Sequence, residues 1–445
     1  AVRSRLRPVH RRSRRLRGRR ARNKRWPTAI ALASAAWYAS DSLRHRREQG
    51  DGYRLRGEDL RVGSGAFLRA TEAITSAPIS YGNDIELLIN GDRIFPAMIE
   101  TIASAQRSVN FLTYIYWSGE IAREIAGTLC ERASAGVEVN VLLDAVGSAK
   151  MERGLIKEMD RSGVTFAYFR PPKPYALRRV NNRTHRKLLI ADGIVGMTGG
   201  VGIADEWTGD AEDPEHWRDT HVRVRGPVVR GLQGAFAENW LEATGDVLVG
   251  PAYLPELEPI DGGGAMQVVR SSATVGDTNI EALYFLAIAC ARRSLHLTSA
   301  YFAPRPAFVE ALADAAQRGV DVRVLVPGPH HDKSAVRQAG RASYQELLEA
   351  GVRIFEYQRT MLHAKTLSID GIWSSVGSVN FDNRSFQLND ESTLCVCSDR
   401  FAGALDDQFA RDVEHAEEIE PGRWRRRGRG ERGTEAVLKL ARREL

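Results

Sequence analysis

The chain has 445 residues, 43% hydrophobic and 27% charged, with a formal net charge of +7. That length allows two domain-sized cores, and that composition excludes a disordered or multiply membrane-spanning protein. The charge is uneven: residues 1–25 carry twelve Arg and Lys24 with no Asp or Glu, which leaves the rest at about −6.

Behind this basic arm come Trp26-Pro27 and an apolar stretch, Thr28 to Ala39. The stretch falls short of the roughly 20 residues that a helix needs to cross a bilayer. It resembles equally a signal-type leader, with Ala33-Ser34-Ala35, and an interfacial helix with Trp26, Trp37 and Tyr38 at headgroup level. Charge alone suits the arm to an anionic membrane surface or to nucleic acid, and a solvated tail is the plainest alternative. Cys130, Cys290, Cys395 and Cys397 show neither zinc spacing nor a disulfide framework, so a cytoplasmic body is expected.

From about residue 80 the chain repeats itself. Ala105-Gln-Arg-Ser-Val-Asn-Phe-Leu-Thr is echoed by Ala291-Arg-Arg-Ser-Leu-His-Leu-Thr-Ser, each followed by aromatic residues, Tyr114 and Tyr116 or Tyr301 and Phe302. A helical segment then ends at Gly136 or Gly319, before Val137-Glu-Val-Asn-Val or Val320-Asp-Val-Arg-Val. A second helix stops at Gly163 or Gly351, and a strand with a His-x-Lys sequence follows. Strands alternating with helices predict an α/β fold with a mixed or largely parallel sheet. Two copies of one unit are expected side by side, with one active site at their interface. The expected limits are 1–50 for the arm, 80–255 and 265–415 for the repeats and 416–445 for a basic tail. Pro251, Pro255, Pro259 and Gly262 to Gly264 mark the link between the repeats.

Repeat one contains His185-Arg-Lys187-Leu-Leu-Ile-Ala-Asp192, and repeat two contains His363-Ala-Lys365-Thr-Leu-Ser-Ile-Asp370. Residues two apart on a strand share a face, so His and Lys are expected to project together. Lysine is scarce, eight against fifty-five arginines, yet two of the eight follow a histidine at this spacing. A compact ammonium suits a phosphate oxygen in a tight site. Asp192 and Asp370 fall on the opposite strand face and precede glycine, which predicts structural turn residues.

Thr198-Gly-Gly200-Val-Gly202 and Val376-Gly-Ser378-Val-Asn380 come next. Gly200, Ser378 and Asn380 are expected to bind phosphate oxygens through close backbone, hydroxyl and amide. Asp219 and Glu391 then fall at matching places, each expected to orient its own repeat's imidazole. The chemistry this predicts is a phosphohistidine on one His, proton transfer by the other, and charge neutralisation by Lys187 and Lys365. No metal-ligand cluster stands out, so neither metal nor cofactor is expected. His330-His331-Asp332 reads as a polar loop.

These sequences resemble the twin HxKxxxxD signature of the phospholipase D superfamily, over residues 80 to 415, and most of all its bacterial cardiolipin synthases. Ile203-Ala-Asp-Glu-Trp207, Trp217-Arg-Asp-Thr-His-Val and Leu388-Asn-Asp-Glu391 carry the likeness further. The resemblance implies tandem phospholipase D-like α/β/α sandwich repeats and phosphatidyl transfer between phospholipids, with phosphatidylglycerol as substrate. It implies His185 as nucleophile and His363 as acid/base. It also implies a monomer held peripherally at the cytoplasmic face of a bacterial cytoplasmic membrane, with the basic arm on anionic lipid and no nucleic-acid partner.

Three departures stand out. Gly202 replaces the family's usual Asn, the usual pair of N-terminal membrane helices is not expected, and the stretch Asp205 to His216 is strongly acidic. Two rival activities fit the same motifs: phospholipase D hydrolysis to phosphatidic acid, and a phosphodiesterase nuclease. Water exclusion from the closed site decides the acceptor, and no motif encodes it. A non-enzymatic basic scaffold would leave both His-Lys pairs unexplained.

Overall fold

Alternating Val, Ile and Leu build the strands, and segments ending at glycine build the helices between them. The computed structural model describes residues 53–57, 60–172, 181–272 and 277–427. The arm expected at 1–50, with its apolar stretch, and the basic tail beyond residue 427 lie outside the described residues.

The chain runs through α1 (Gly65–Thr75), β1 (Ile79–Ile89), α2 (Gly91–Ser104), β2 (Ser108–Thr113), α3 (Glu120–Ser134), β3 (Glu138–Asp144) and α4 (Arg153–Arg161). It continues with β4 (Thr165–Phe169), β5 (Arg183–Thr184), β6 (Leu188–Ala191), β7 (Val195–Gly199), β8 (Thr220–Arg225) and α5 (Val229–Thr244). The second repeat begins with β9 (Gly264–Ser271), α6 (Asn279–Cys290), β10 (Ser294–Ser299), β11 (Phe302–Ala303), α7 (Pro306–Gln317) and β12 (Asp321–Pro327). Then come α8 (Ser334–Arg341), α9 (Tyr344–Glu349), β13 (Arg353–Tyr357), β14 (Lys365–Ile369), β15 (Trp373–Gly377) and β16 (Phe381–Asp382). The last elements among the described residues are α10 (Asn383–Gln387), β17 (Asn389–Cys397), α11 (Asp399–Val413), β18 (Ala416–Glu418) and α12 (Pro421–Arg425).

The two repeats have the same strand order, β1-β8-β7-β6-β2-β3-β4 and β9-β17-β15-β14-β10-β12-β13, with β18 added at the second outer edge. Three strands of each run parallel, β2-β3-β4 and β10-β12-β13, and the motif strand and its hairpin partner run antiparallel. β1 joins the halves. Asp84 to Ile89 pair with β8, while Ile79, Ser80 and Asn83 pair with β9 across an irregularity.

Helices cover both faces. Ile94, Ile125 and Leu155 of α2, α3 and α4 fill one core, and Leu283, Phe308 and Leu347 of α6, α7 and α9 fill its counterpart. A third core lies along the seam, where Phe236 and Trp240 of α5 and Phe401 and Leu405 of α11 pack on strands of both repeats. α1 precedes repeat one in sequence but buries Phe67 in repeat two, edge-on to Trp373 at 6.1 Å.

Asp192 and Asp370 do more than turn the chain. Both adopt left-handed backbone, φ 56° and 57°. The Asp192 carboxylate accepts from the backbone N–H groups of Gln106, Arg107 and Ser108 at 2.9, 2.7 and 2.9 Å. Asp370 accepts from those of Arg292, Arg293 and Ser294 at 3.1, 2.7 and 3.1 Å. Each thus pins the start of the neighbouring parallel strand, at the end of the motif strand away from the histidine. Asp370→Ala should lower unfolding stability by about 3 kcal/mol, since an ionised acceptor of several N–H groups is lost. Urea titration checks this, and a loss under 1 kcal/mol (on the order of one neutral hydrogen bond) would contradict it.

Candidate active site

His185 and Lys187 lie in the short crossing between β5 and β6, and His363 lies just ahead of β14, which starts at Lys365. This corrects the expectation that each pair sits inside a strand. The motifs occupy strand entries, where backbone groups turn to new partners. His185 N donates to Asp390 O at 2.8 Å, and His363 N donates to Arg218 O at 2.7 Å. Each lysine curls back on its own motif, with Nζ donating to the carbonyl of His185 at 2.7 Å and to that of His363.

The carboxylates are exchanged between the repeats. Residues Arg183 and Thr184 pair in parallel with Asn389 and Asp390, and Arg218 bridges Leu362. The chain entering each motif therefore runs beside the residues that precede the other repeat's acid. Both Glu391 oxygens lie 3.0 Å from His185 Nδ1, and Asp219 Oδ2 lies 2.7 Å from His363 Nδ1. The expectation that each imidazole uses its own repeat's carboxylate is thereby overturned. Neither repeat holds a complete site.

All six side chains are buried. Loss of water, with the Lys365 charge beside it, pushes His363 down to about 4. It also lowers His185, although Glu391 opposes the shift. Burial brings Lys187 to about 7 and Lys365 to about 8. Burial disfavours charge on Asp219 and Glu391 too, but the facing imidazoles and nearby ammonium groups outweigh it and hold both below the usual range. Lys365 acts on His185 and Lys187 acts on His363, so the two motifs form one electrostatic unit.

A family model described as "Cardiolipin synthase, PLD-like domain" matches residues 98–212 and 284–413. The cardiolipin synthase of Geobacillus thermodenitrificans is 37% identical over 376 residues, 84% of this chain and 75% of that protein. A probable cardiolipin synthase of Bacillus subtilis is 33% identical over 81% of this chain and 72% of its own. The chain belongs to the PLD-like family of the cardiolipin synthases. The crystal structure of a phosphatidylserine synthase from Haemophilus influenzae superposes with a TM-score of 0.63 at 13% identity, over 85% of this chain and 99% of that one. At that identity the likeness speaks for the fold alone.

The family's small-residue sequences turn out to serve the carboxylates. A Cβ on Gly200 would fall inside the Asp219 carboxylate, so this glycine makes room for an acid of the protein. The Ser378 hydroxyl donates to Glu391 Oε2 and is likewise engaged. Asn380 is buried nearby, and its Oδ1 has no partner among the described residues.

Asp205, Asp210, Glu212 and Glu215 of the acidic stretch are exposed to solvent, and several of its carboxylates also have partners in the protein. Asp205 accepts from Glu120 N and Ile121 N at 3.1 Å each, at the start of α3. Asp210 accepts from Asn90 Nδ2 at 2.8 Å, and Asp213 faces His216 Nδ1 at 2.9 Å. His331 of the expected polar loop lines a small cavity with Tyr301 and Lys333. Tyr301 OH donates to Asp332 at 2.6 Å, which ties that loop to the site.

Four aromatic residues were not singled out from sequence as site residues. The Trp207, Trp217 and Tyr301 rings stand 5.1, 5.6 and 6.4 Å from the His363 ring, and Tyr114 stands 5.2 Å from that of His185. For Tyr114 and Tyr301 the available signal was the aromatic residues that follow β2 and β10 in the two repeats.

An anion bound between two part-neutral lysines raises their affinity for protons. Binding of vanadate at pH 8 should therefore take up protons, seen as a dependence of calorimetric enthalpy on buffer ionisation. Lys187→Met should reduce the uptake; release of protons on binding would contradict the assignment of depressed lysines.

Proposed function

We propose that this protein is a phosphatidyltransferase of the cardiolipin synthase type, acting through a phosphohistidine. The observation that carries the reading is the pair of imidazoles whose Nδ1 atoms are both tied to carboxylates, which reserves the two Nε2 atoms for a phosphodiester. The similarity to proteins named cardiolipin synthase supports it.

His185 Nε2 attacks phosphorus, and the bond from phosphorus to the leaving alcohol oxygen breaks as His363 gives that oxygen its proton. His363 then takes the proton of an incoming hydroxyl, whose oxygen attacks phosphorus and releases His185. With phosphatidylglycerol as donor and acceptor, the products are cardiolipin and glycerol. Lys187 and Lys365 offset charge on the non-bridging oxygens, and the dry surroundings strengthen that effect. Asn380 adds an amide donor to the same oxygens. Burial and the Lys365 charge disfavour the cationic form of His363 while Asp219 opposes them, so Asp219 is what lets this imidazole carry a proton. His185 instead faces a Glu391 that is braced by the Ser378 hydroxyl and by Asn389 Nδ2 at 3.3 Å.

One chain supplies both motifs, so a monomer suffices. Among the described residues no helix is long and apolar enough to cross a membrane. In this reading the basic arm, 1–50, holds the body peripherally on anionic lipid at the cytoplasmic face.

Labelled phosphatidylglycerol incubated with the protein in EDTA tests the proposal. Label should move into cardiolipin, and His363→Ala should form none. Phosphatidic acid as the main product would make the protein a hydrolase, and DNA cleavage without any lipid product would sink the lipid reading.

A further inference from the structure

Trp207 closes the short 3-10 turn Asp205–Trp207 and is 1% exposed. The turn is held at its first two residues, by Asp205 on the start of α3 and by Trp217 N donating to Glu206 O at 2.6 Å. From this support the Trp207 indole Nε1 donates to Asp219 Oδ2 at 2.9 Å, with His363 Nδ1 the more distant acceptor at 3.4 Å. That is the same oxygen that faces His363 Nδ1 at 2.7 Å. The other oxygen, Oδ1, accepts from Thr220 N at 2.7 Å, so the carboxylate is fixed in plane and in rotation.

The other half of the site solves the same problem differently. Glu391 Oε2 accepts from the Ser378 hydroxyl. Gly200 occupies the place of Ser378, and Gly202 that of Asn380, in the matching sequences Gly199-Gly200-Val201-Gly202 and Gly377-Ser378-Val379-Asn380. Asp219 is one methylene shorter than Glu391, and its carboxylate lies where a Gly200 side chain would start. No hydroxyl can be offered from that position. A Cβ on Gly202 would stand 3.2 Å from Trp207 Cη2 and 2.9 Å from Ile115 Cβ, so this glycine leaves the space beside the indole.

We propose that Trp207 is a positioning residue for the transfer reaction: its indole N–H holds Asp219 against His363, the task that the Ser378 hydroxyl performs for Glu391 and His185. Gly200, Gly202, Asp219 and Trp207 are then one interdependent set, in which the two glycines make room for a short acid and a large donor. The absence of Asn at 202 loses a polar group from the first repeat and admits the indole in exchange. The inference rests on the two-histidine reading above, but not on which alcohol is the acceptor.

Removing the N–H leaves more of the Asp219 charge to act on His363, which makes that imidazole more basic. Trp207→Phe removes the donor and keeps an aromatic ring. Benzothienylalanine at 207 keeps the whole indole shape and lacks only the N–H, so it separates the hydrogen bond from packing should the Phe variant fail to fold. Glycerol release from short-chain phosphatidylglycerol is the readout, because it counts turnover whether lipid or water is the acceptor. Both variants should lower kcat about tenfold with little change in KM, the scale of one lost hydrogen bond to a charged group. The limb of the pH profile that reports His363 should move up by about half a unit, which is the alkaline limb if His363 is the acid. Ser378→Ala should move the opposite limb. If the two limbs are interchanged, Trp207 keeps its role and the assignment of nucleophile and acid is reversed. A benzothienylalanine profile that overlays the wild type, or that falls in height with neither limb moving, overturns the proposal.

Discussion

The exchange of carboxylates across the repeat seam is the interaction on which the site depends. An imidazole buried without a partner to fix its tautomer is a poor nucleophile and a poor proton carrier. Here that partner always comes from the other repeat: Glu391 for His185, Asp219 for His363. Six buried ionisable groups therefore converge on a boundary that must not slip, because breaking one partner of a buried ionic set costs several kcal/mol. The arginines beside the motifs meet that demand. Arg186, the middle residue of the first His-x-Lys, donates to Glu391 O at 3.1 Å, Ser271 O at 2.9 Å and Ala235 O at 2.8 Å, and so stitches one repeat to the other. Arg218 clamps Asp412 through two bonds of 2.8 Å, and Arg183 holds Asp144 at 2.9 Å. This explains a division of cations along the chain. Guanidinium forks with fixed geometry brace the frame, and in the proposed reaction the two ammonium groups serve the phosphate.

A symmetric frame carries an asymmetric lining. Strand order, motif placement and the aspartate clamps are the same in both halves. The groups around the two acids are not: indole and backbone N–H on Asp219, hydroxyl and amide on Glu391. Phosphoryl transfer through a covalent histidine needs one imidazole that attacks while the other moves protons. Duplication alone would give two equivalent histidines, so the difference has to come from their surroundings.

Much of this was legible in the sequence. The internal repeat gave the α/β fold and the pairing of halves, since each repeated element had a twin with the same strand or helix pattern. The scarcity of lysine pointed to Lys187 and Lys365, and the spacing of Asp192 and Asp370 from their histidines kept them out of the reaction. The exchange was not legible, because the His185–Glu391 contact joins residues 206 apart and the His363–Asp219 contact joins residues 144 apart. Periodicity reports which face a residue lies on and is silent about which of two equivalent acids stands opposite. The contact of Gly200 with Asp219 was hidden for a related reason: a glycine signals close approach, and the sequence does not say of what. Trp207 was quoted only as part of a family resemblance, since a tryptophan in an acidic turn carries no periodic signal that its N–H points inward.

The most direct test of the exchanged site is to map the covalent intermediate in the carboxylate variants. A phosphatidyl donor with a nitrophenyl leaving group needs no proton from the acid, so formation of the intermediate depends on the attacking histidine alone. After rapid quench at alkaline pH, proteolysis and mass analysis, Asp219→Asn should accumulate a phosphatidyl group on His185, because its removal needs a working His363. Glu391→Gln, in the other repeat, should leave His185 unlabelled. The opposite pattern, with His185 labelled in Glu391→Gln and bare in Asp219→Asn, would contradict the account.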